Sequence, residues 1–145
     1  MKAPSIITLL IWGISLTACG QSKNRSAATS PKQTIKKETN MDFSKITNEK
    51  VKKAIEALDA GDKSWYTFFT ENPEMTDDGN KVDFKSFFGK ALGNEKFLTI
   101  DKVENEGKDV YGNFKAGQWG TFKVFFKFRL NADGKFDRLD IGQAR

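Results

Sequence analysis

The chain has 145 residues, enough for one ordinary domain, with 24 lysines and arginines against 19 aspartates and glutamates and no histidine. Without histidine, Ser-His-Asp and Cys-His nucleophilic sites are excluded; with Cys19 as the only cysteine, His/Cys zinc sites and an internal disulfide are excluded as well. The net charge of +5 is no nucleic-acid signal, because Lys2, Lys23, Arg25, Lys32, Lys36 and Lys37 against Glu38 account for all of it and Asp42–Arg145 is electrically balanced.

In chain order, Met1-Lys2 carries positive charge and Ile6–Leu16 is an apolar run of eleven residues. A bilayer-spanning helix needs about twenty, so the run reads as the h-region of a secretory signal. It ends in Leu16-Thr17-Ala18-Cys19, which resembles a bacterial lipobox. The resemblance implies that residues 1–18 are a lipoprotein signal peptide. It also implies that Cys19 carries acyl chains such as palmitate and holds the chain to a membrane of the cell envelope. Gly20 resembles the Gram-negative pattern that permits outer-membrane export. Residues 19–41 are rich in Ser, Thr, Asn and Lys and too poor in apolar side chains to pack. They are expected to form a flexible basic tether with a reach of roughly 25 Å, suited to anionic headgroups.

The folded domain is expected over residues 42–145. Thr47 or Asn48 can cap a helix whose Val51, Ala54, Ile55 and Leu58 fall at helical spacing, and Gly61 can end it. Asp62 can cap a second, short helix carrying Trp65, Phe68 and Phe69. The stretch ENPEMTDDGN reads as a break with an Asp-Gly turn. Helical spacing returns with Phe84, Phe87, Phe88, Ala91 and Leu92, closed by Gly93. Strand patterns then run to the end: KFLTIDKVEN and DVYGNFKA about a turn at Glu106-Gly107, and GTFKVFFKFRLN and KFDRLDIGQ about the Asp133-Gly134 turn. In the third, Phe122, Val124, Phe126, Phe128 and Leu130 share one face, with Thr121, Lys123, Lys127 and Arg129 on the other. Helices followed by an antiparallel meander make an α+β domain.

The order of the Gly61-Asp62 step, a short helix, a long strand and Asp133-Gly134-Lys135-Phe136-Asp137-Arg138-Leu139 resembles the NTF2-like superfamily, also called SnoaL-like or cystatin-like. The resemblance covers about Asn48 to Ala144. It implies a curved antiparallel sheet wrapped around N-terminal helices into a cone, often with an apolar cavity.

Within that family, ketosteroid-isomerase-like chemistry needs an aspartate base, a tyrosine and a protonated aspartic acid. Asp77 occupies a compatible place for the base, but the other two positions hold Ala54 and Phe126. The turn composition TDDGN around Asp77 is the simpler explanation of it, as a structural residue. Arg129, Arg138 and Asp140 offer the residue types of an epoxide-hydrolase-like cluster, with Arg129 expected to face water. The turns TDDGNKVD and NADGKFDRLD lack the spacing and closing glutamate of calcium loops, so no metal and no cofactor is expected. If the cone holds a cavity, its lining is expected from Trp65, Phe69, Phe84, Phe88, Tyr111, Phe122 and Phe126; the alternative is a filled core. Trp119 and Phe125 are expected to mark an apolar partner or homodimer surface, unless Trp119 closes the open end of the sheet. The sequence thus points to a lipid-anchored, non-enzymatic envelope domain that binds a protein or an apolar small molecule. An isomerase or hydrolase acting through Asp77 is the alternative.

Overall fold

The computed structural model describes residues 41–145. The leader, Cys19 and the tether up to residue 40 lie outside the described residues. A 3₁₀ turn at Phe43–Lys45 leads into helix α1, Glu49–Ala60. Of the two candidate caps, Asn48 is the one used: its Oδ1 accepts from the amides of Lys50 and Val51, two of the four donors a helix start leaves unpaired. Gly61, left-handed at φ +68°, ends the helix, and Val51, Ala54, Ile55, Ala57 and Leu58 form its buried stripe. A second 3₁₀ segment, Lys63–Phe68, capped by Asp62, seats Trp65 fully inside. Helix α2, Phe84–Ala91, is capped by Asp83 and buries Phe84, Phe88 and Ala91.

These helices lie on one six-stranded sheet: β1 Phe69–Asp77, β2 Asn80–Lys81, β3 Glu95–Glu104, β4 Asp109–Ala116, β5 Thr121–Leu130 and β6 Phe136–Gln143. The strand order is β2-β1-β6-β5-β4-β3, with β1 parallel to β6 and every other neighbouring pair antiparallel. The fold is α+β, as the sequence predicts.

One element departs from the sequence reading. The stretch taken as a break is strand β1, and Phe69 begins it instead of ending the short helix. The register against β6 shifts between Phe69 and Glu74. Pro73 falls in that shift, where its missing N–H removes no ladder bond. The Asp-Gly turn is present: Asp78 and Gly79 both have positive φ, +48° and +83°, and join β1 to β2 as a two-residue hairpin.

The phenylalanine row of β5 divides along its length. Phe126 and Phe128 are fully buried, whereas Phe122 and Leu130 at its ends are 36% and 37% exposed. Phe128 belongs to a closed aromatic cluster with Trp65, Phe69, Phe84, Phe88 and Phe136. In it Trp65 lies 4.7 Å from Phe69, Phe69 4.5 Å from Phe84, and Phe128 4.8 Å from Phe136 between ring centroids. Phe126 packs with Phe97 at 4.9 Å and Phe114 at 5.2 Å, a second group nearer one end of the sheet. Beyond that group, towards Phe122, the inner face is exposed.

Candidate functional site

The uncovered end of the inner face forms an open pocket of about 310 Å³. Strand alternation determines its wall. On β4 the buried positions Val110, Gly112 and Phe114 lead to Ala116; on β5, Phe126 leads to Val124 and Phe122; on β6, Leu139 and Ile141 lead to Gln143. Phe87 of α2 forms one side, and Trp119, in the turn between β4 and β5, stands 77% exposed at the rim.

Alternation also brings in the polar members. Met75 of β1 is buried, so Asp77 two residues on points to the same side; Glu95, which opens β3, shares the face of buried Phe97. Asp77, Asp78 and Glu95 all line the pocket, and no lysine or arginine does. Asp78 is engaged: its Oδ1 accepts the Gln143 amide at 2.8 Å. The side chains of Asp77 and Glu95 make no hydrogen bond or ion pair with any described residue. Burial pushes the Asp77 carboxyl above its ordinary value, and the Asp78 carboxylate adds to this. Glu95 is raised by burial first and by Asp77 second. Both effects disfavour the charged forms: partial removal from water, and like charges in one field.

Of the residues expected to line a cavity, the structure brings only Phe122 and Phe126 to this pocket. Trp65, Phe69, Phe84 and Phe88 belong instead to the buried core, packed ring to ring with one another. Tyr111 alternates with buried Val110 and so points to the outer face, 6.5 Å from the Phe125 ring. Trp119 and Phe125, expected to share a surface, lie apart, with Trp119 on the inner rim and Phe125 outside. Trp119 stands exposed at the rim of the open end and does not close it. Phe87, Phe114, Val124, Ile141 and Glu95 were absent from the expected site. Alternation alone reaches Phe114; Phe87 depends on where α2 lands and Glu95 on how the sheet curves.

The outer face holds a shallow hollow of about 460 Å³ lined by Asp101, Lys102, Tyr111, Lys123, Phe125 and Arg145 among others. Its two aromatic rings are already covered, Tyr111 by Lys102 at 4.6 Å and Phe125 by Lys127 at 5.1 Å. Arg138 and Asp140 also face outward, opposite buried Leu139 and Ile141. Arg138 Nε donates to both Asp140 oxygens at 3.0 Å and its Nη1 to Glu74 at 3.1 Å, while Thr76 donates to Asp140 at 2.7 Å. Burial opposes ionisation of Asp140, but the bonds from Arg138 and Thr76 outweigh it and hold the carboxyl below its ordinary range. This network satisfies itself, and Arg129 pairs across from Arg138 on the same outer side. The hydrolase-like trio is therefore remote from the pocket. Among the described residues no group of three or more His, Cys, Asp or Glu is arranged to hold a metal ion, and no helix is long and apolar enough to cross a membrane.

No protein-family model and no curated protein sequence matches the chain. Solved structures do. An uncharacterised protein conserved in bacteria with a cystatin-like fold, from Silicibacter pomeroyi, is 14% identical with a TM-score of 0.53, over 71% of this chain and 78% of its own. A protein from Sphaerobacter thermophilus is 14% identical with a TM-score of 0.51, over 66% and 94%. The Orange Carotenoid Protein of Anabaena (Nostoc), solved binding canthaxanthin, is 21% identical with a TM-score of 0.51. That match covers 66% of this chain, which spans about a third (35%) of the carotenoid protein's length.

Proposed function

We propose that this chain, whose described residues have the NTF2-like (cystatin-like) fold, is a lipid-anchored cell-envelope domain that binds an apolar small molecule at the uncovered end of its sheet. The observation that carries the reading is the pocket of about 310 Å³ walled by Phe87, Phe114, Phe122, Val124, Phe126 and Ile141. That volume is near the lower end for ligand sites. At the ~30 Å³ each water takes in the liquid, it holds roughly ten non-hydrogen atoms. The carotenoid protein, about a third of which this chain matches, was solved binding canthaxanthin, which supports a binding role without naming this chain's own ligand.

In fluorine NMR, para-trifluoromethylbenzyl alcohol is expected to broaden when titrated with the full chain in zwitterionic lipid nanodiscs. Replacing half-exposed Phe122 by aspartate should remove the broadening. Equal line widths with the wild type and Phe122→Asp would overturn the reading. The anchor is a separate matter, supported by the lipobox-like Leu16–Cys19. Cys19→Ala is expected to abolish metabolic labelling with palmitate and to move the chain out of the detergent phase on phase partition. Continued labelling would remove the anchor from the reading.

A second reading, proton transfer through Asp77, is favoured by the raised Asp77–Glu95 pair. Against it, Ala54 and Phe126 are buried in the core at the positions where an isomerase needs oxyanion donors. Tyr66 packs on Phe84 at 6.0 Å and does not line the pocket. Binding is therefore the better-supported activity.

A further inference from the structure

An apolar wall explains affinity for any greasy molecule but leaves the carboxylates unexplained. The pocket is lined by aromatic and aliphatic groups and three acidic side chains, with no basic group among the described residues. The folded domain as a whole is electrically balanced, so this concentration of one sign is local. Asp78 is held by the Gln143 amide and its turn geometry accounts for it. Asp77 and Glu95 have no such structural employment. They come from strands at opposite sides of the sheet, β1 and β3, yet both line this pocket, and the Asp77 charge is felt at Glu95. Lys90 of α2, the basic side chain of the adjoining groove behind Phe87, pairs with neither.

Resting on the binding reading above, we propose that the pocket selects an amphiphilic cation. An ammonium would lie between Asp77 and Glu95, with an aromatic or short aliphatic body against Phe114, Phe122 and Phe126. Among the described residues these two partly buried carboxylates have no counterion; burial raises both and the Asp77 charge adds to this at Glu95, and an ammonium relieves both effects. The exposed Trp119 face at the rim adds a second attraction for a cation. A neutral ligand would leave the carboxylates as they are, and an anionic one would add a third like charge. A hydrated metal ion would leave the aromatic wall without a partner. The charge sets which molecules are accepted, and the rings supply most of the contact area.

The test compares isosteres that differ in one group, by the same fluorine NMR titration of the full chain in zwitterionic nanodiscs. The probes are para-trifluoromethylbenzylamine, the matching benzyl alcohol, and para-trifluoromethylphenylacetate. The amine is expected to bind at least tenfold tighter than the alcohol, and the acetate not at all. In Asp77→Asn/Glu95→Gln, which keeps the side-chain shapes, the amine should fall to within about twofold of the alcohol. The alcohol is the reference within the variant, and a near-UV circular dichroism spectrum like the wild type's checks that its aromatic core is intact. Equal affinity of amine and alcohol for the wild type would overturn the charge selection and leave the pocket reading standing. Binding of none of the probes would overturn both. An amine preference that survives the double substitution would overturn the assignment to these two carboxylates.

Discussion

Replacing Phe128 by alanine is expected to lower the unfolding free energy by about 3–5 kcal/mol, the range for deleting a fully buried ring. Phe122→Ala, in the same row of the same strand, should cost only about 1 kcal/mol, an ordinary value for a substitution outside the packed interior. The residue type and alternation are identical, so the difference isolates what covers each position. Phe128 is 1% exposed and has the rings of Trp65, Phe69, Phe126 and Phe136 around it at 4.8 to 6.4 Å. Removing its benzyl group would leave a void that the neighbouring rings cannot close without abandoning their own contacts. Phe122 is 36% exposed and borders the pocket. Water already reaches it, so truncation enlarges an opening instead of creating a cavity. Equilibrium urea unfolding of the two variants checks this. Equal losses would mean that the uncovered end of the sheet is packed in solution, and the pocket would go with it.

That contrast marks where sequence reasoning stops. Local signals were legible because local chemistry decides them. Asn48 and Asp62 cap, Gly61 terminates, Asp78-Gly79 turns, and DVYGNFKA is strand β4, Asp109–Ala116, as predicted. Strand β1 was not legible, because Asn72-Pro73 argues against a strand by propensity. The pairing that overrides it, Phe69 beside Phe136 and Met75 beside Leu139, joins segments more than sixty residues apart. The face of each inward residue on β5 could be read from alternation, but not whether a helix covers it. Coverage depends on where α1 and α2 dock on the sheet, and packing between residues far apart in the chain decides that. Glu95 shows the same limit. A glutamate opening a strand reads as solvated surface, and only the curvature of the sheet puts it in the lining of the same pocket as Asp77.

Gly107→Ala is expected to destabilise the domain by about 2–4 kcal/mol, combining the cost of a side chain in the left-handed region with overpacking against backbone. The sequence predicts a turn at Glu106-Gly107, and any turn-forming residue would satisfy that expectation. The structure asks for more. Asn105, Glu106 and Gly107 are left-handed in succession, at φ +53°, +56° and +82°. The last of them is buried against the start of α1, where an added Cβ would stand 2.4 Å from the Asn48 amide nitrogen and 2.7 Å from the Thr47 hydroxyl. Those are the residues that begin and cap the helix, so the clash cannot be relieved by rotating an exposed side chain. Either the turn lifts off α1 or the cap bonds from Asn48 to Lys50 and Val51 are disturbed. The same turn feeds β4, and the Lys108 carbonyl accepts from the Phe128 amide at 3.0 Å, so the displacement would be felt in the central core. Glu106→Gly supplies the control. It relieves a left-handed non-glycine residue one position away and is expected to be neutral or stabilising by up to about 1 kcal/mol. Thermal and urea unfolding of both variants would distinguish the causes. If Gly107→Ala changed stability by less than about 0.5 kcal/mol, the turn would not be docked on the helix start. A loss for Glu106→Gly as large as that for Gly107→Ala would show the turn to be sensitive to any substitution, and the close approach to Asn48 would not be the reason.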